Sequence, residues 1–403
     1  MGDPTAICLE CTIAAPPEQV WAALTERNRL RSWLCDQVLI EARAGGRYLF
    51  RWRSGFEAQG TQVEFEAPEK LTWAWQGLGE PGLTLVRWEL QAKGPGTHVR
   101  VTHTGFGRDP RSQTARAEAA KGWEKGLENL QSVLEEGIDL RQARRPLMGV
   151  LLDNMSVERA EQEDIATTTG VYIAGMVEGG AAEEAGIQEG DVLVAFGDYT
   201  LYDFADLVTA MPAYRAGDKV AVALVRGKEQ LTVEVELRGR PMPPAAEPLP
   251  EAVTRLRDGQ AQVRAALAEI TAGLPSEQAA RSPAEGEWSV REILAHLSSA
   301  ERDMQTNLLY LVVGFELNGD PDFSVAPDRN AVVLALEPTL AGLLARFDRD
   351  MEESALLLER LSPQTVADRY RYRQALELVF NFSNHTNDHV EQIRRAAEAV
   401  RAR

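Results

Sequence analysis

Hydrophobic residues recur at every second position in a series of short runs near the start of the chain, and turn residues separate the runs. Alternation of this kind buries one face of a strand, and strands joined by short turns form an antiparallel sheet. The pattern therefore predicts a meander of strands at 48–52, 61–65, 71–75, 85–90 and 98–102.

Strand and helix patterns flank this meander. A strand-like run at 7–13 is followed by two short helical patterns, one opened by Pro16 and Pro17 and one around 30–34. After the meander, apolar residues spaced 4, 3 and 4 apart form one helical stripe, and Gly137 is placed to end that helix. The stripe consists of Trp123, Leu127, Leu130 and Leu134. Residues 1–140 are thus predicted to form an α+β domain.

Four motifs carry a family resemblance for this segment. They lie at 17–24, 45–47, 68–71 and 122–127. The segment resembles the START-like (SRPBCC) superfamily, in the branch named for the activator of a heat-shock-protein ATPase. The resemblance implies a helix-grip fold and a pocket for a small apolar ligand, lined by Trp52, Trp73, Trp75 and Trp88. The alternative is that these tryptophans fill the core, because aromatic side chains bury large areas.

The histidines and the cysteine pair of the same segment are interpreted as structural. His98 and His103 fall within the strand and turn pattern. Cys8 and Cys11 form a C-x-x-C spacing, but residues three apart on a strand point to opposite faces. A redox motif would need a helix N-terminus to lower the thiol pKa.

A second pattern of strands and glycine-rich turns occupies residues 143–240. The run 185–193, with the sequence Ala-Gly-Ile-Gln-Glu-Gly-Asp-Val-Leu, precedes a helical stripe and two final strands at 220–225 and 231–237. This segment resembles PDZ domains of the bacterial HtrA type, which are mainly β. The resemblance implies that a protein C-terminus adds a strand to a sheet edge. It assigns the peptide site to Leu147, Met148, Gly149, Val150, Leu207 and Met211. The alternative is an occluded groove used only for packing.

A proline-rich linker at 241–250 separates this module from an all-helical segment, residues 251–403. Helices are expected near 251–273, 289–314, 332–361 and 371–401. The sequence Asn-Gly-Asp-Pro at 318–321 is expected to break the second helix from the third. Four such helices predict a four-helix bundle.

Two histidines of this segment lie four residues apart, and a third lies on another predicted helix. His385 and His389 share a helix face, because residues i and i+4 are neighbours on an α-helix. His296 follows a helix start in which Ser289 and Glu292 fit a capping box. Three histidines leave a tetrahedral metal ion with an open position, as in catalytic sites. The alternative is that such a pair lies on the surface or in an ordinary core.

The entry to the second helix and the run His-x-x-x-His-x-x-Gln-Ile at 385–393 resemble the DinB family of four-helix bundles. The resemblance covers residues from about 249 to the C-terminus and implies a divalent metal held by His296, His385 and His389. Zinc is the first choice, with nickel or iron as alternatives. Some family members resemble thiol-dependent transferases, which implies a low-molecular-weight thiol as a further cofactor. Glu292 and Asp388 are candidates to orient the metal-binding histidines. No catalytic residue is assigned.

The composition of the chain limits the possible binding partners and the possible cellular location. The net charge of −18 argues against nucleic acid, whose phosphates an acidic surface repels. There is no apolar run of eighteen residues, so no membrane partner is expected. Three cysteines and a start without a basic and apolar leader favour a reducing cytoplasm.

Two functions remain open from the sequence. The first is a metal-dependent S-transferase acting on small electrophiles in the C-terminal bundle. The second is a non-enzymatic adaptor that binds an apolar ligand in the START-like domain and a protein C-terminus in the PDZ-like domain. The oligomeric state is left open.

Overall fold

A computed structural model describes residues 5–314 and 326–402. The chain divides into two compact units. One unit joins residues 1–50 and 58–137 with the helical segment 245–403, and the other joins residues 51–57 with 138–244.

The N-terminal domain contains a seven-stranded antiparallel sheet. The strand order is β1-β7-β6-β5-β4-β3-β2. The strands are β1 Ile7–Ile13, β2 Gln37–Ile40, β3 Arg47–Arg51, β4 Glu57–Glu66, β5 Lys70–Gly77, β6 Thr84–Lys93 and β7 Gly96–Thr104. The meander from β3 to β7 confirms the period-two prediction, whereas the short strand β2 was missed.

Three helices accompany this sheet. They are α1 Pro17–Thr25, α2 Arg27–Trp33 and α3 Pro110–Glu135. The predicted stripe of α3 is buried, and Gly137 follows the helix with φ of +74°. The helix-grip fold predicted for this segment is confirmed.

A six-stranded sheet forms the core of the second unit. Its main path has the order β14-β13-β11-β10-β9, and β12 pairs with β11. The strands are β9 Val150–Asn154, β10 Val171–Met176, β11 Val192–Phe196, β12 Tyr199–Thr200, β13 Lys219–Arg226 and β14 Glu229–Glu236. A separate two-stranded ladder pairs β8 Pro146–Leu147 with β15 Arg238–Gly239. The mainly-β prediction is confirmed.

Short helices complete this unit. They are α4 Leu140–Ala143, α5 Val157–Glu163, α6 Ala181–Glu184 and α7 Phe204–Ala210, and a 3-10 turn, Met211–Ala213, follows α7. Asp203 caps α7 by accepting hydrogen bonds from the amides of Ala205 and Asp206.

The C-terminal segment is helical, as predicted. Its long helices are α8 Leu249–Thr271, α10 Val290–Val313, α12 Leu340–Glu359 and α14 Arg369–Arg401, and its shorter ones are α9 Ser276–Ala279, α11 Ala326–Leu336 and α13 Pro363–Ala367. The core of the bundle is apolar around α10, with Ile293, Leu294 and Leu297 fully buried.

The expected third helix is divided in two. The stretch 332–361 contains the end of α11 and the whole of α12, and Thr339 caps α12 by accepting a hydrogen bond from the Gly342 amide. Pro338 precedes this cap, and the residue before a proline is disfavoured in a helix. The expected break at 318–321 lies outside the described residues.

Within the described residues, no single helix is long and apolar enough to cross a membrane, although Asp328–Leu336 and Leu340–Glu359, bent by 108°, together reach that length and composition.

The N-terminal domain and the helical bundle contact each other within their shared unit. Arg29 Nη2 on α2 lies 3.0 Å from Oδ2 of Asp368, the residue that caps α14. Arg373 Nη2 donates a hydrogen bond to the Glu136 carbonyl at 3.2 Å. A Cβ on Gly137 would lie 2.3 Å from the Arg369 carbonyl oxygen, so only glycine permits this approach. The two predicted domains therefore form one packed body.

Candidate functional site

The three predicted histidines meet in the bundle. One ring nitrogen from each of His296, His385 and His389 lies within 4.8 Å of the others. The Nε2 atoms of His296 and His385 are 3.1 Å apart. All three side chains are half-buried, so the cluster is close to solvent without being fully exposed.

Local sequence explains how two helices bring these rings together. His385 and His389 are one turn apart on α14, and their ring centroids are 4.4 Å apart. His296 lies on α10, whose start is fixed by the predicted capping box: the Ser289 hydroxyl accepts from the Glu292 amide, and the Glu292 carboxylate accepts from the Ser289 amide. Glu292 is therefore engaged at the helix start rather than with a histidine.

Gln392 is the residue that orients His389, and the sequence analysis did not assign it this role. Its Oε1 atom lies 2.7 Å from Nδ1 of His389. An amide oxygen only accepts hydrogen bonds, so Nδ1 carries the ring hydrogen and Nε2 keeps its lone pair. A glutamine three residues after a candidate ligand, one helical turn away, was the signal that could have found it.

Burial keeps two of the rings neutral. Burial, followed by the neighbouring His389 and His385, lowers the pKa of His296 to about 4. Burial also lowers the pKa of His385, with a smaller contribution from His389. A metal binds the neutral form of imidazole, so these shifts favour ligation at neutral pH.

One pair of histidine nitrogens has the spacing of two ligands in a metal site. In a tetrahedral site with Zn–N distances of about 2.0–2.1 Å, two ligand nitrogens are about 3.3 Å apart. The 3.1 Å separation of the His296 and His385 nitrogens is close to this value. If no ion is bound, one of the two Nε2 atoms must carry a hydrogen and donate it to the other. If an ion is bound, both Nε2 atoms can coordinate it through their lone pairs.

Aromatic rings surround the histidines. The Trp288 ring centroid lies 5.0 Å from that of His296 and 6.5 Å from that of His389, and it is nearly parallel to the latter ring at 16°. Phe382 lies 6.3 Å from His385. These rings give the cluster apolar walls that limit the access of water.

The residues predicted for a peptide site lie around the edge strand β9. Met148 and Leu207 are buried in the core of the PDZ-like sheet, whereas Leu147, Val150 and Met211 are half-buried. Gly149 has φ of +78°, and its carbonyl accepts a hydrogen bond from the Val177 amide. Leu151 on β9 is 60% exposed and was not predicted as part of this site.

Three of the four tryptophans predicted to line a ligand pocket pack together. Trp73, Trp75 and Trp88 are buried in an aromatic core that also contains Trp33 and Trp123. Trp52 is in the loop between β3 and β4, where it packs on Phe56. The indole Nε1 atoms of Trp73 and Trp88 have no hydrogen-bond partner within the described residues.

The remaining histidines and the cysteine pair have structural surroundings. The His103 Nδ1 atom accepts a hydrogen bond from the Trp123 indole, and burial lowers the pKa of His103 to about 3. His98 lies 3.3 Å from the Glu10 carboxylate. Cys8 is exposed and Cys11 is half-buried on β1, and burial raises the pKa of Cys11 to about 11. A thiol with a raised pKa is a poor redox group.

Three family profiles match successive parts of the chain. The profile described as activator of Hsp90 ATPase homolog 1-like protein matches residues 14–135, and the PDZ domain profile matches 137–237. The DinB superfamily profile matches 219–393. Its first part overlaps the PDZ match, but β13 and β14 pair within the PDZ sheet, and the bundle begins at Leu249.

Individual relatives match only part of the chain. The periplasmic pH-dependent serine endoprotease DegQ of Escherichia coli is 26% identical over 106 residues, 26% of this chain and 23% of that protein. A probable periplasmic serine endoprotease, DegP-like, from Marinomonas is 27% identical over 100 residues, 25% of this chain and 21% of that protein. The chain thus spans less than a quarter of the length of these curated relatives.

Solved structures of similar proteins cover about a third of the chain. The protein MLL2253 from Mesorhizobium loti is 25% identical with a TM-score of 0.30, covering 32% of this chain and 96% of that one. The Aha1 dimer from Colwellia psychrerythraea is 22% identical with a TM-score of 0.29, with the same coverage. The three profile matches identify this chain as a multidomain protein with an Hsp90-activator-like START domain, a PDZ domain and a DinB superfamily domain.

Proposed function

We propose that the DinB-like bundle is a metal-dependent transferase that joins a low-molecular-weight thiol to a small electrophile. The observation that carries this proposal is the convergence of three histidine nitrogens within 4.8 Å of one another. His296, His385 and His389 would hold one divalent ion, zinc before nickel or iron. A cation bound by three protein ligands has an open position and lowers the pKa of a thiol or water there.

The chain's own residues would bind and orient the reactants. Gln392 holds His389 in the tautomer whose Nε2 atom keeps its lone pair. The ring of Trp288 supplies an apolar wall beside His296 and His389, which suits the carbon skeleton of an electrophile. In the reaction, the thiol sulfur bonds to the electrophilic carbon, the leaving group departs with its electron pair, and the thiol proton passes to water.

A transfer assay tests this function. Zinc-loaded protein is incubated with a small thiol and an alkyl halide, and thioether formation is followed by mass spectrometry. We expect turnover by the wild type and by the control His98→Ala, which changes a histidine remote from the bundle. The rate of thioether formation by His385→Ala should be at least about 100-fold lower. Equal rates for all three proteins would exclude the bundle as the catalyst.

A second function, adaptor binding of a protein C-terminus, is favoured by the free edge of β9. This strand is at the end of the sheet order, and only β10 pairs with it among the described strands. Such an edge accepts an added strand, and α7 contacts β9 as the second wall of a groove. The loop at Leu147–Val150 would hold the terminal carboxylate.

A matched pair of glycine variants tests the adaptor function. A Cβ on Gly149 would lie 2.9 Å from the Gly180 Cα atom, whereas Gly217 also has positive φ but open space. Gly149→Val should therefore abolish binding of peptides with an apolar C-terminal residue, measured by fluorescence anisotropy, while Gly217→Val retains it. Unchanged binding by Gly149→Val would remove this groove as the site.

The proposal also covers the partner of the START-like domain and the cellular location of the protein. A small apolar ligand, or an Hsp90-like ATPase, is the partner proposed for the START-like domain on the basis of its family. We propose a cytoplasmic location, because three cysteines in a chain of 403 residues do not suggest a disulfide framework.

A further inference from the structure

A small cavity with both polar and apolar walls lies in the core of the bundle, and each long helix contributes to it. Its volume is about 10 Å³, room for about one water molecule. Polar side chains on its wall come from all four helices: Gln260 on α8, Glu301 on α10, Ser354 on α12, and Ser383 and Thr386 on α14. None of these residues belongs to the histidine cluster.

Gln260 presents an unused acceptor in this cavity. The side chain is only 5% exposed, and its Nε2 atom donates a hydrogen bond to the Met351 carbonyl at 2.7 Å. Its Oε1 atom has no hydrogen-bond partner within the described residues. A buried amide oxygen without a partner costs free energy, so the cavity needs a donor.

The bonds around Ser354 are compatible with a carboxylic acid at Glu301. The Ser354 Oγ atom lies 2.5 Å from Glu301 Oε2 and 3.1 Å from the Asp350 carbonyl oxygen, and it accepts from Gln305 Nε2 at 3.1 Å. The hydroxyl has one hydrogen for these two oxygens, and the Asp350 carbonyl also accepts a hydrogen bond from Gln305 Nε2 at 2.8 Å. If Glu301 is a carboxylic acid, it donates to Ser354, and Ser354 donates to Asp350. Every bond is then satisfied.

The charges near Glu301 favour the same form. Glu301 is 7% exposed, and burial raises its pKa to about 7, against the lowering effect of the Ser354 hydrogen bond and with a smaller contribution from the nearby Asp350 charge on α12. Asp350 is itself close to two cations, Arg302 at 3.5 Å and Arg346 at 3.9 Å. On the cavity wall, α8 and α14 contribute the uncharged groups Gln260, Ser383 and Thr386.

We propose that this cavity binds one water molecule, which donates one hydrogen to Gln260 Oε1 and the other to Glu301 Oε1, with Glu301 in its carboxylic acid form. Both acceptors are then satisfied, and the hydroxyls of Ser383 and Thr386 lie on the cavity wall as donors to the water oxygen. Loss of the proton would reverse the Ser354 bond and leave a negative charge in the core. The bundle that carries the histidines is thus sensitive to pH near neutrality.

The sign of the pH dependence follows from the raised pKa of Glu301. The folded state holds the proton more tightly than the unfolded state, whose carboxyl has a pKa near 4.5. The stabilising contribution is therefore present below about pH 4.5 and is lost as the pH rises to about 7. Across this interval, the unfolding constant should rise on the order of 100-fold because of this group.

Two variants test the proposal in the full chain. Glu301→Gln mimics the neutral acid, since its amide can donate to Ser354 and its oxygen can accept from the water. Glu353→Gln changes an exposed carboxylate one residue before Ser354 and is the control. We expect denaturant titrations to show Glu301→Gln gaining stability over the wild type as the pH rises from 5 to 8, and Glu353→Gln following the wild type. The same pH dependence in all three proteins would overturn the assignment of Glu301.

Infrared spectroscopy and crystallography examine the proton and the water separately. The wild type should have a protonated-carboxyl band at pH 6 that is absent in Glu301→Gln. A crystal structure should contain one water between Gln260 and Glu301, and this water should be lost in Gln260→Met. A missing band would overturn the acid form, whereas an empty cavity, or a cation with several oxygen ligands, would overturn the water site.

Discussion

The Nδ1 atom of His389 lies 2.7 Å from the Oε1 atom of Gln392, one helical turn further along α14. This contact gives the tautomer of His389 a physical cause, because the amide oxygen requires a hydrogen on Nδ1. The Nε2 atom therefore keeps a lone pair that can bind a metal ion. Gln392 is thus a positioning residue for the proposed metal site.

Replacing Gln392 should weaken the metal site without removing a ligand. Loss of such an outer partner costs about 10- to 100-fold in metal affinity. We expect Gln392→Leu to show this loss in competition titrations with a chelator, while Gln392→Glu, which keeps an acceptor oxygen, stays close to the wild type. Gln262→Leu, at an exposed position on α8, serves as the control. Wild-type affinity in Gln392→Leu would contradict the positioning role.

The contact between the START-like domain and the bundle predicts the result of limited proteolysis. Residues 241–245 carry no helix or strand and are mostly exposed, so a protease should cut there. The two fragments should still elute together, because Arg29 and Asp368 join the START-like domain to the bundle. Separate elution of the wild-type fragments would mean that these contacts are too weak to hold the domains.

A variant pair measures the strength of that contact. Arg29→Ala should release the cleaved fragments more readily than Arg27→Ala, which changes an exposed arginine on the same helix. Both partners of the Arg29–Asp368 pair are mostly buried, with side chains 22% and 12% exposed, so its loss leaves a poorly solvated carboxylate. Equal dissociation constants for the two variants would assign the association to other contacts.

The tryptophans should differ sharply in their effect on stability. Trp73 is fully buried in the aromatic core, whereas Trp52 is half-buried in a loop. We expect Trp73→Ala to lower the free energy of unfolding by about 3–5 kcal/mol, as for other buried aromatic residues. Trp52→Ala should cost about 1 kcal/mol or less. The measurement is a denaturant titration, and similar costs at both positions would contradict the different packing of the two side chains.

Periodicity was sufficient to predict the strands and helices that bury one face. The alternating runs of the N-terminal sheet and the stripe on α3 belong to this class, and the structure confirms them. The boundary between α11 and α12 was missed, although Pro338 and Thr339 mark it locally, because the apolar pattern continues across the break. Hydrophobic periodicity describes a face and does not detect a change of direction.

The candidate site was predicted from residue types and spacing, and its surroundings were not. The pair His385 and His389 and the cap before His296 were visible in the sequence, and the structure brings the three rings together. The contact of START-like domain and bundle depends on residues far apart in the chain, such as Arg29 and Asp368. Likewise, the cavity beside Glu301 requires four helices to meet, which no local pattern encodes.

The measurement that tests the central claim most directly is the metal content of the purified chain. Inductively coupled plasma mass spectrometry should find one divalent ion per chain in the wild type and in His98→Ala, whose changed residue lies in the START-like domain. His296→Ala, His385→Ala and His389→Ala should each lose most of this metal while circular dichroism remains that of the wild type. Stoichiometric metal in all three of these variants would contradict the three-histidine site.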